Sequence, residues 1–359
     1  MQFVQTLAIT LRTLTGRRIR RGVCRVDLLK RSSVAAVCVA AIIVVGVTVA
    51  AQDGGRGPAQ ASATGITPRH EHGYVKLGNL FYLLGGRRIQ PVDIFNPTRG
   101  LWTKGAPPPV EIHHFQAVPF DGKIYLVGAM IGPYPTEPPL ANVFIYDPAA
   151  DTWAKGPEIP AGRRRGGAGA VLHNGEIIVI AGITNGHSDG HVTWVDAFNP
   201  KTGQWRQLPD APRARDHFHA AIIDNKIYAA GGRRSSAATG QTFELTVPEV
   251  DVFNLTTNTW STLPATGNIP TPRAGAAVAV VSGKLVVLGG ESGGQQLAHN
   301  EVEALDPATG TWTKLAPLPM GRHAMQAILH DGRIYLASGS RTRGATEVDT
   351  QEIYTPRGL

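Results

Sequence analysis

The chain has 359 residues, 42% apolar and 17% charged, with 42 Gly and 26 Pro. That balance excludes a coiled coil, a long helical bundle and an acidic disordered chain, and it suits many short strands joined by turns. The net charge of +8 sits almost wholly in residues 1–51, where Arg12, Arg17, Arg18, Arg20, Arg21, Arg25, Lys30 and Arg31 face only Asp27; the near-neutral body that follows is no template for phosphates, so no nucleic-acid partner is expected.

Residues 34–51 read VAAVCVAAIIVVGVTVAA, an uncharged run behind an Arg-rich flank. This order predicts a signal peptide, cut after Val49-Ala50-Ala51, or a single signal anchor. Either way the basic end stays cytoplasmic and the body is exported, periplasmic or extracellular. The membrane is a partner only through this segment, if it is uncleaved. Cys24 and Cys38 both lie in the leader, so the body has no disulfide, thiolate metal site or Cys nucleophile. Residues 52–61 read as a linker, and one domain is expected over 62–359.

From there one unit recurs. A β-rich run ends in a Gly-Gly position at Gly85, Gly128, Ala181, Gly231, Gly289 and Ser338. An Asp/Asn turn follows at Asn96, Asp147, Asn199, Asn254 and Asp306, and a Trp lies six residues beyond each: Trp102, Trp153, Trp205, Trp260 and Trp312. A sixth copy begins at Thr355-Pro356. Runs such as KIYLV, KLVVL and RIYLA are apolar enough to be covered on both faces. Gly-Gly marks a bend or close backbone approach, the Asx turn a hairpin, and the Trp an apolar plate between neighbouring sheets. Four strands per unit, a to d, must stack on neighbours to bury their faces.

Gly-Gly, then Tyr-Asp-Pro or Phe-Asn-Pro, then Trp resembles the kelch repeat, over about residues 66–356. The resemblance implies an all-β, six-bladed propeller of four-stranded blades. Gly128-Ala129, Ala181-Gly182 and Ser338-Gly339 depart mildly from the pattern. Residues 59–67 are expected to supply the strand that blade 6 lacks and so close the ring.

In such blades the d–a and b–c loops share one face around the channel. Sixteen residues before each Gly-Gly position stand Arg69, Ile112, Arg165, Arg215, Arg273 and Arg322, followed by His70, His113, His114, Asp216, His217 and His323. The b–c ends add Arg87-Arg88, Arg233-Arg234 and Glu291, with the two GGRR sequences in opposite blades. Functionally this is a funnel for carboxylates, sulfates or acidic sugars. The structural alternative has the ring arginines bonding loop carbonyls between blades. His217 and His219 alternate on a strand, but with no carboxylate or Cys cluster nearby no metal or other cofactor is expected. Glu291, Gln295 and His299 resemble the iron-binding spacing of plant specifier proteins, with Gln where those have an acid. His187 and His191, in a Gly-rich loop, read as solvated, and Trp194 as part of strand c of blade 3.

The resulting functional expectation is a binding module for an acidic small molecule, a glycan or a protein. The alternative is a sugar isomerase similar to the bacterial sialic-acid mutarotases, with Glu291, Arg215 and Arg273 as acid/base group and carboxylate clamp. Copper chemistry of the galactose-oxidase type is excluded, because it needs a Cys joined to a Tyr. GRRRGGAG at 162–169 has no following Lys-Ser/Thr and opens a strand, so it is no phosphate loop. No Gly-x-Ser-x-Gly elbow is present.

Overall fold

The structure is a computed structural model that describes residues 64–359. The leader, the linker and residues 59–63 of the expected closing strand lie outside the described residues.

Blade 1 holds β1 (His72–Leu77), β2 (Leu80–Gly85), β3 (Val92–Asn96) and β4 (Leu101–Gly105); blade 2 holds β5 (Ala117–Phe120), β6 (Lys123–Leu126), β7 (Asn142–Asp147) and β8 (Thr152–Glu158). Blade 3 runs β9 (Gly169–His173), β10 (Glu176–Ile180), an inserted hairpin of β11 (Ile183–Asn185) and β12 (Asp189–His191), then β13 (Val195–Phe198) and β14 (Trp205–Leu208). Blade 4 holds β15 (Ala220–Ile223), β16 (Lys226–Ala229), β17 (Asp251–Asn254) and β18 (Thr259–Thr262). Blade 5 holds β19 (Ala277–Val281), β20 (Lys284–Leu288), β21 (Val302–Asp306) and β22 (Thr311–Lys314), and blade 6 holds β23 (Ala327–His330), β24 (Arg333–Ala337) and β25 (Gln351–Tyr354). Each sheet is antiparallel and pairs its strands in order. The first strand of every blade touches the first strand of the next, and β23 returns to β1. The ring is therefore six-bladed and closed through its inner strands.

Blade 6 shows three strands among the described residues. Residues 64–67, the described part of the expected closing segment, form no strand. Gly65 takes φ +82°, and the Thr67 amide donates to the Asp93 carboxylate at 2.6 Å instead of to a ladder. The segment still ties the joint: Thr64 Oγ1 donates to the Asp349 carbonyl, and Ile66 is buried with Tyr335 and Phe81 between blades 6 and 1.

The core is six apolar wedges, one between each pair of neighbouring blades. The second strand of each blade is buried on both faces, as in LFYLLG and KLVVL, which explains its continuous apolar run. The Trp plates lie where expected. Trp153, Trp260 and Trp312 each donate their indole N–H to a carbonyl of the preceding blade's d–a loop, at Ala106, Pro209 and Gly267. In blade 6 the Tyr354 hydroxyl reaches Ala316 in the same way.

Gly-Gly has a definite cause. The second residue of the pair donates its amide to the carbonyl sixteen residues before the next pair: Gly86 to Ile112, Gly182 to Arg215, Gly232 to Arg273, Gly290 to Arg322 and Gly339 to Arg69, at 2.8–2.9 Å. The first residue of the pair lies in the left-handed region in all six blades. A Cβ on Gly289 would stand 2.1 Å from the Arg322 carbonyl oxygen, so Gly289→Ala should lower stability by about 1–3 kcal/mol. Denaturant unfolding measures this; a loss below about 0.5 kcal/mol would mean the blade 5–6 contact opens without strain.

Candidate functional site

The two ends of the ring differ in kind. At one end the Asx turns repeat one geometry: Asn96, Asp147, Asn199 and Asn254 each accept two amides from the residues two and three further on. That is scaffold chemistry. The other end carries the d–a and b–c connections, and there the buried titratable groups collect.

Its frame is a closed circle of peptide hydrogen bonds. Glu71 N donates to Ala324 O, His114 N to Glu71 O, Gly167 N to His114 O, His217 N to Gly167 O, Gly275 N to His217 O, and Ala324 N to Gly275 O, all at 2.7–3.1 Å. Each of these residues lies two positions after the Arg/Ile register. All six take φ between +52° and +61°, the left-handed region that favours Gly. Blades 3 and 5 use Gly there. Blades 1, 2 and 4 instead hold Glu71, His114 and His217.

The five register arginines do not face this mouth. Arg69, Arg165, Arg215, Arg273 and Arg322 are buried, each with its donors on carbonyls of its own blade and on an acid of strand c. The pairs are Arg69–Asp93 at 3.1 Å, Arg165–Asp196 at 2.7 Å, Arg215–Asp251 at 2.5 Å, Arg273–Glu303 at 2.6 Å and Arg322–Glu352 at 3.2 Å. Each acid stands three residues before the Asx-turn residue or, in blade 6, before Thr355. That spacing from the Asx turn is a signal present in the sequence. Blade 2 lacks both partners: Ile112 and Phe144 occupy the two places and share an apolar wedge.

The two GGRR sequences do reach the mouth end, in blades three steps apart, but carboxylates meet them. Arg87 bonds Glu71 at 2.7 Å and also Glu137; Arg88 bonds Glu347 at 2.7 Å. Arg233 is buried, bonded to Glu291 at 2.5 Å and to Ser235 at 2.8 Å, with its guanidinium over the Phe243 ring. Arg234 is exposed. Glu347 also meets His70 at 2.6 Å, and Glu291 lies 3.4 Å from His323. Burial raises the Glu291 carboxyl, but His323 and Arg233 outweigh it and hold it down at about 2. The expected clamp of Glu291 with Arg215 and Arg273 is not assembled, because both arginines point into their blades. Nor do Glu291, Gln295 and His299 converge: His299 bonds Ser292 and Glu301, and Gln295 bonds the Leu297 carbonyl. Trp194 directly precedes β13 and lies against the Arg163 guanidinium, 4.8 Å from it.

His187 corrects the sequence reading. It is not solvated but 4% exposed. Its hairpin folds over blade 3, with its amide on Pro135 and its carbonyl on Ala237. Its Nδ1 is 2.7 Å from Glu137, and its Nε2 is 3.0 Å from His217 Nε2. Carboxylates also meet the histidines: Asp216 stands beside His217 in the sequence and bonds its Nδ1, and the fold adds Glu137 and Glu71. Glu71 Oε1 lies 2.7 Å from His114 Nε2. Glu71, His114, His187 and His217 thus place one donor atom each within 4.8 Å of one another. Burial lowers the pKa of His114 to about 3 and of His217 to about 4, keeping both imidazoles neutral. His113 is likewise lowered to about 3, mainly by burial and next by His114. The Glu71 carboxylate is held well below its ordinary value by Arg87 and His114, against the burial that raises it.

Comparison with known proteins agrees with this architecture. Kelch-motif models match residues 112–160 and 164–212, and a model described as the KLHDC2/KLHL20/DRC7 Kelch-repeats domain matches 208–339. Kelch-like protein terF of Aspergillus terreus is 30% identical over 80% of this chain and 65% of its own length. Human Kelch-like protein 23 is 24% identical over 81% of this chain and 49% of its own length. The chain thus spans about half to about two thirds of the length of these curated relatives. The solved structure of YjhT is superposable with a TM-score of 0.69, covering 81% of this chain and 96% of that one at 16% identity, a likeness of fold. With Gly-Gly, Asx turn and Trp each in its structural place, the chain belongs to the kelch-repeat β-propeller family.

Proposed function

We propose that the chain is an exported binding module that takes its partner on the channel-mouth face. The observation that carries this reading is the asymmetry of the two ends. One end repeats a single turn, whereas the other has b–c connections of different length and holds nearly all the buried ion pairs of the loops. Loops of varied length on a rigid scaffold are where binding surfaces are built. Kelch propellers are typically protein-interaction modules, which supports a protein partner. Export rests on the Arg-rich flank and the uncharged run at 34–51. Arg234 is exposed, Arg88 is partly exposed and paired with Glu347, and both would meet an acidic group of a glycan or protein.

The test is a glycan array and a panel of acidic peptides, read with the full chain at two salt concentrations. Arg88→Ala with Arg234→Ala should weaken binding and flatten its salt dependence. Arg99→Ala and Lys201→Ala, on the turn end, should change neither. Loss confined to the turn-end variants would move the site to the opposite face. The isomerase alternative retains one support, the Glu291–His323 pair. It predicts ring-opening of an acidic sugar that is lost in Glu291→Gln and absent from a mere binder.

A further inference from the structure

We propose that Glu71, His114, His187 and His217 form a binding site for one divalent transition-metal ion, Zn2+ or a close analogue, at the mouth of the channel. The proposal does not rest on the binding reading and concerns a ligand of different chemistry.

A carboxylate accepts only. His187 Nδ1 meets Glu137, and His217 Nδ1 meets Asp216, so each Nδ1 carries the ring proton. Each Nε2 then carries a lone pair, and these two nitrogens face each other at 3.0 Å. Two acceptors at that distance repel unless a cation lies beside them. His114 Nε2 extends the pattern. It is buried, 2.7 Å from Glu71 Oε1, yet not aligned for a hydrogen bond. Three nitrogens and a carboxylate oxygen thus converge, and a single metal ion satisfies all four.

The partners of the other ring nitrogens point the same way. Histidine ligands hold their tautomer through a carboxylate on the other ring nitrogen; Glu137 and Asp216 are both buried and supply this. Glu137 and Glu71 are in turn bridged by Arg87. Three imidazoles and one carboxylate are ligands that suit Zn2+ and its neighbours. Tetrahedral bonds of about 2.0–2.1 Å place donors roughly 3.3 Å apart, so the donors, all within 4.8 Å of one another, close further by side-chain rotation as the ion binds.

Backbone conformation supplies an independent observation. Glu71, His114 and His217 occupy left-handed positions in the hydrogen-bonded circle where blades 3 and 5 use Gly. A non-Gly residue there costs free energy, and such strain concentrates where a side chain is needed for function. In this circle the three strained long side chains are the ones that converge. His187 comes from the inserted hairpin of blade 3, whose own position in the circle is Gly167. The cavity that Glu71, His114 and His217 line is also lined by Gly275, Ala324 and Glu291.

The test uses the full chain, treated with chelator and titrated with Zn2+ alone and with Co2+ alone. One ion should bind per chain, and Co2+ should give the intense visible bands of a four- or five-coordinate ion. His187→Gln and His114→Gln should each weaken Zn2+ binding by more than about 100-fold, and Glu137→Gln by about 10–100-fold. His173→Gln, outside the cluster, should leave it unchanged. His187 sits on a loop hairpin outside the blade sheets, so its substitution reports on the site even if His114→Gln does not fold. The proposal is overturned by sub-stoichiometric binding, by a six-coordinate Co2+ spectrum, or by equal loss in His173→Gln and His187→Gln. Those results would leave the acidic-ligand reading untouched, since its variants are Arg88 and Arg234.

Discussion

Arg273→Ala should destabilise the propeller by about 3–5 kcal/mol while leaving ligand affinity per folded molecule unchanged. The guanidinium is fully buried and donates to the carbonyls of Thr271, Val287 and Gly289 as well as to Glu303. Truncation strands a buried carboxylate whose one remaining side-chain partner is Thr271, at 2.7 Å. It also takes a donor away from three carbonyls, those of Thr271, Val287 and Gly289. Removing one partner of a buried pair costs far more than replacing both with apolar groups. Blade 2 is the natural case of that replacement, with Ile112 and Phe144 in the two positions. The double variant Arg273→Ile, Glu303→Phe should therefore lose less stability than Arg273→Ala. Denaturant midpoints at constant m-value decide it. A double variant worse than the single one would show that the loop carbonyls, and not the stranded acid, dominate the cost. Reduced affinity with unchanged stability would return Arg273 to the ligand site.

The repeat is legible in the sequence because each of its marks is a backbone or packing constraint that recurs in every blade. Gly289 must avoid the Arg322 carbonyl, Asn254 must cap its own turn, and Trp260 must reach Pro209. Such constraints act within one blade or between neighbours, so they recur at a fixed frame. The ring arginines are legible as positions but not as roles, since the partner acids lie some thirty residues on. Asp251 and Glu303 become readable only when the register is carried to strand c as well. The mouth cluster is the least legible. Glu71, His114 and His217 come from three blades and His187 from an inserted hairpin. No local motif joins them, although all three ring residues occupy one repeat position where two other blades have Gly. The described part of the closing segment, residues 64–67, departs from a strand for a different reason: Gly65 takes a positive φ, and bonds involving the Asp93 side chain and the Thr64 hydroxyl stand in place of a ladder.

Buried neutral imidazoles should make the metal-free protein acid-labile well above the carboxylate range. Burial is the leading cause that lowers His72, His113 and His114 to about 3 and His217 and His219 to about 4. In the unfolded chain each titrates near its ordinary value, about 6.5. Above that pH neither state binds the proton, and the histidines contribute no pH dependence. Between about 6.5 and 4 the unfolded state binds protons that the folded state refuses, so stability falls as pH falls. Each such proton weighs about 1.4 kcal/mol per pH unit, and five together bring the loss to on the order of 5 kcal/mol between pH 7 and 5.5. Glu71 and Glu291, held low in the folded state, keep their contribution across this window and lose it only below about 4.5. Urea unfolding with chelator present at pH 7.5, 6.5 and 5.5 gives the slope. His219→Gln, which removes one of the five outside the proposed ligand set, should make it shallower. A flat profile over this range would mean that the folded mouth takes up protons as readily as the unfolded chain, and that the imidazoles are not held neutral there.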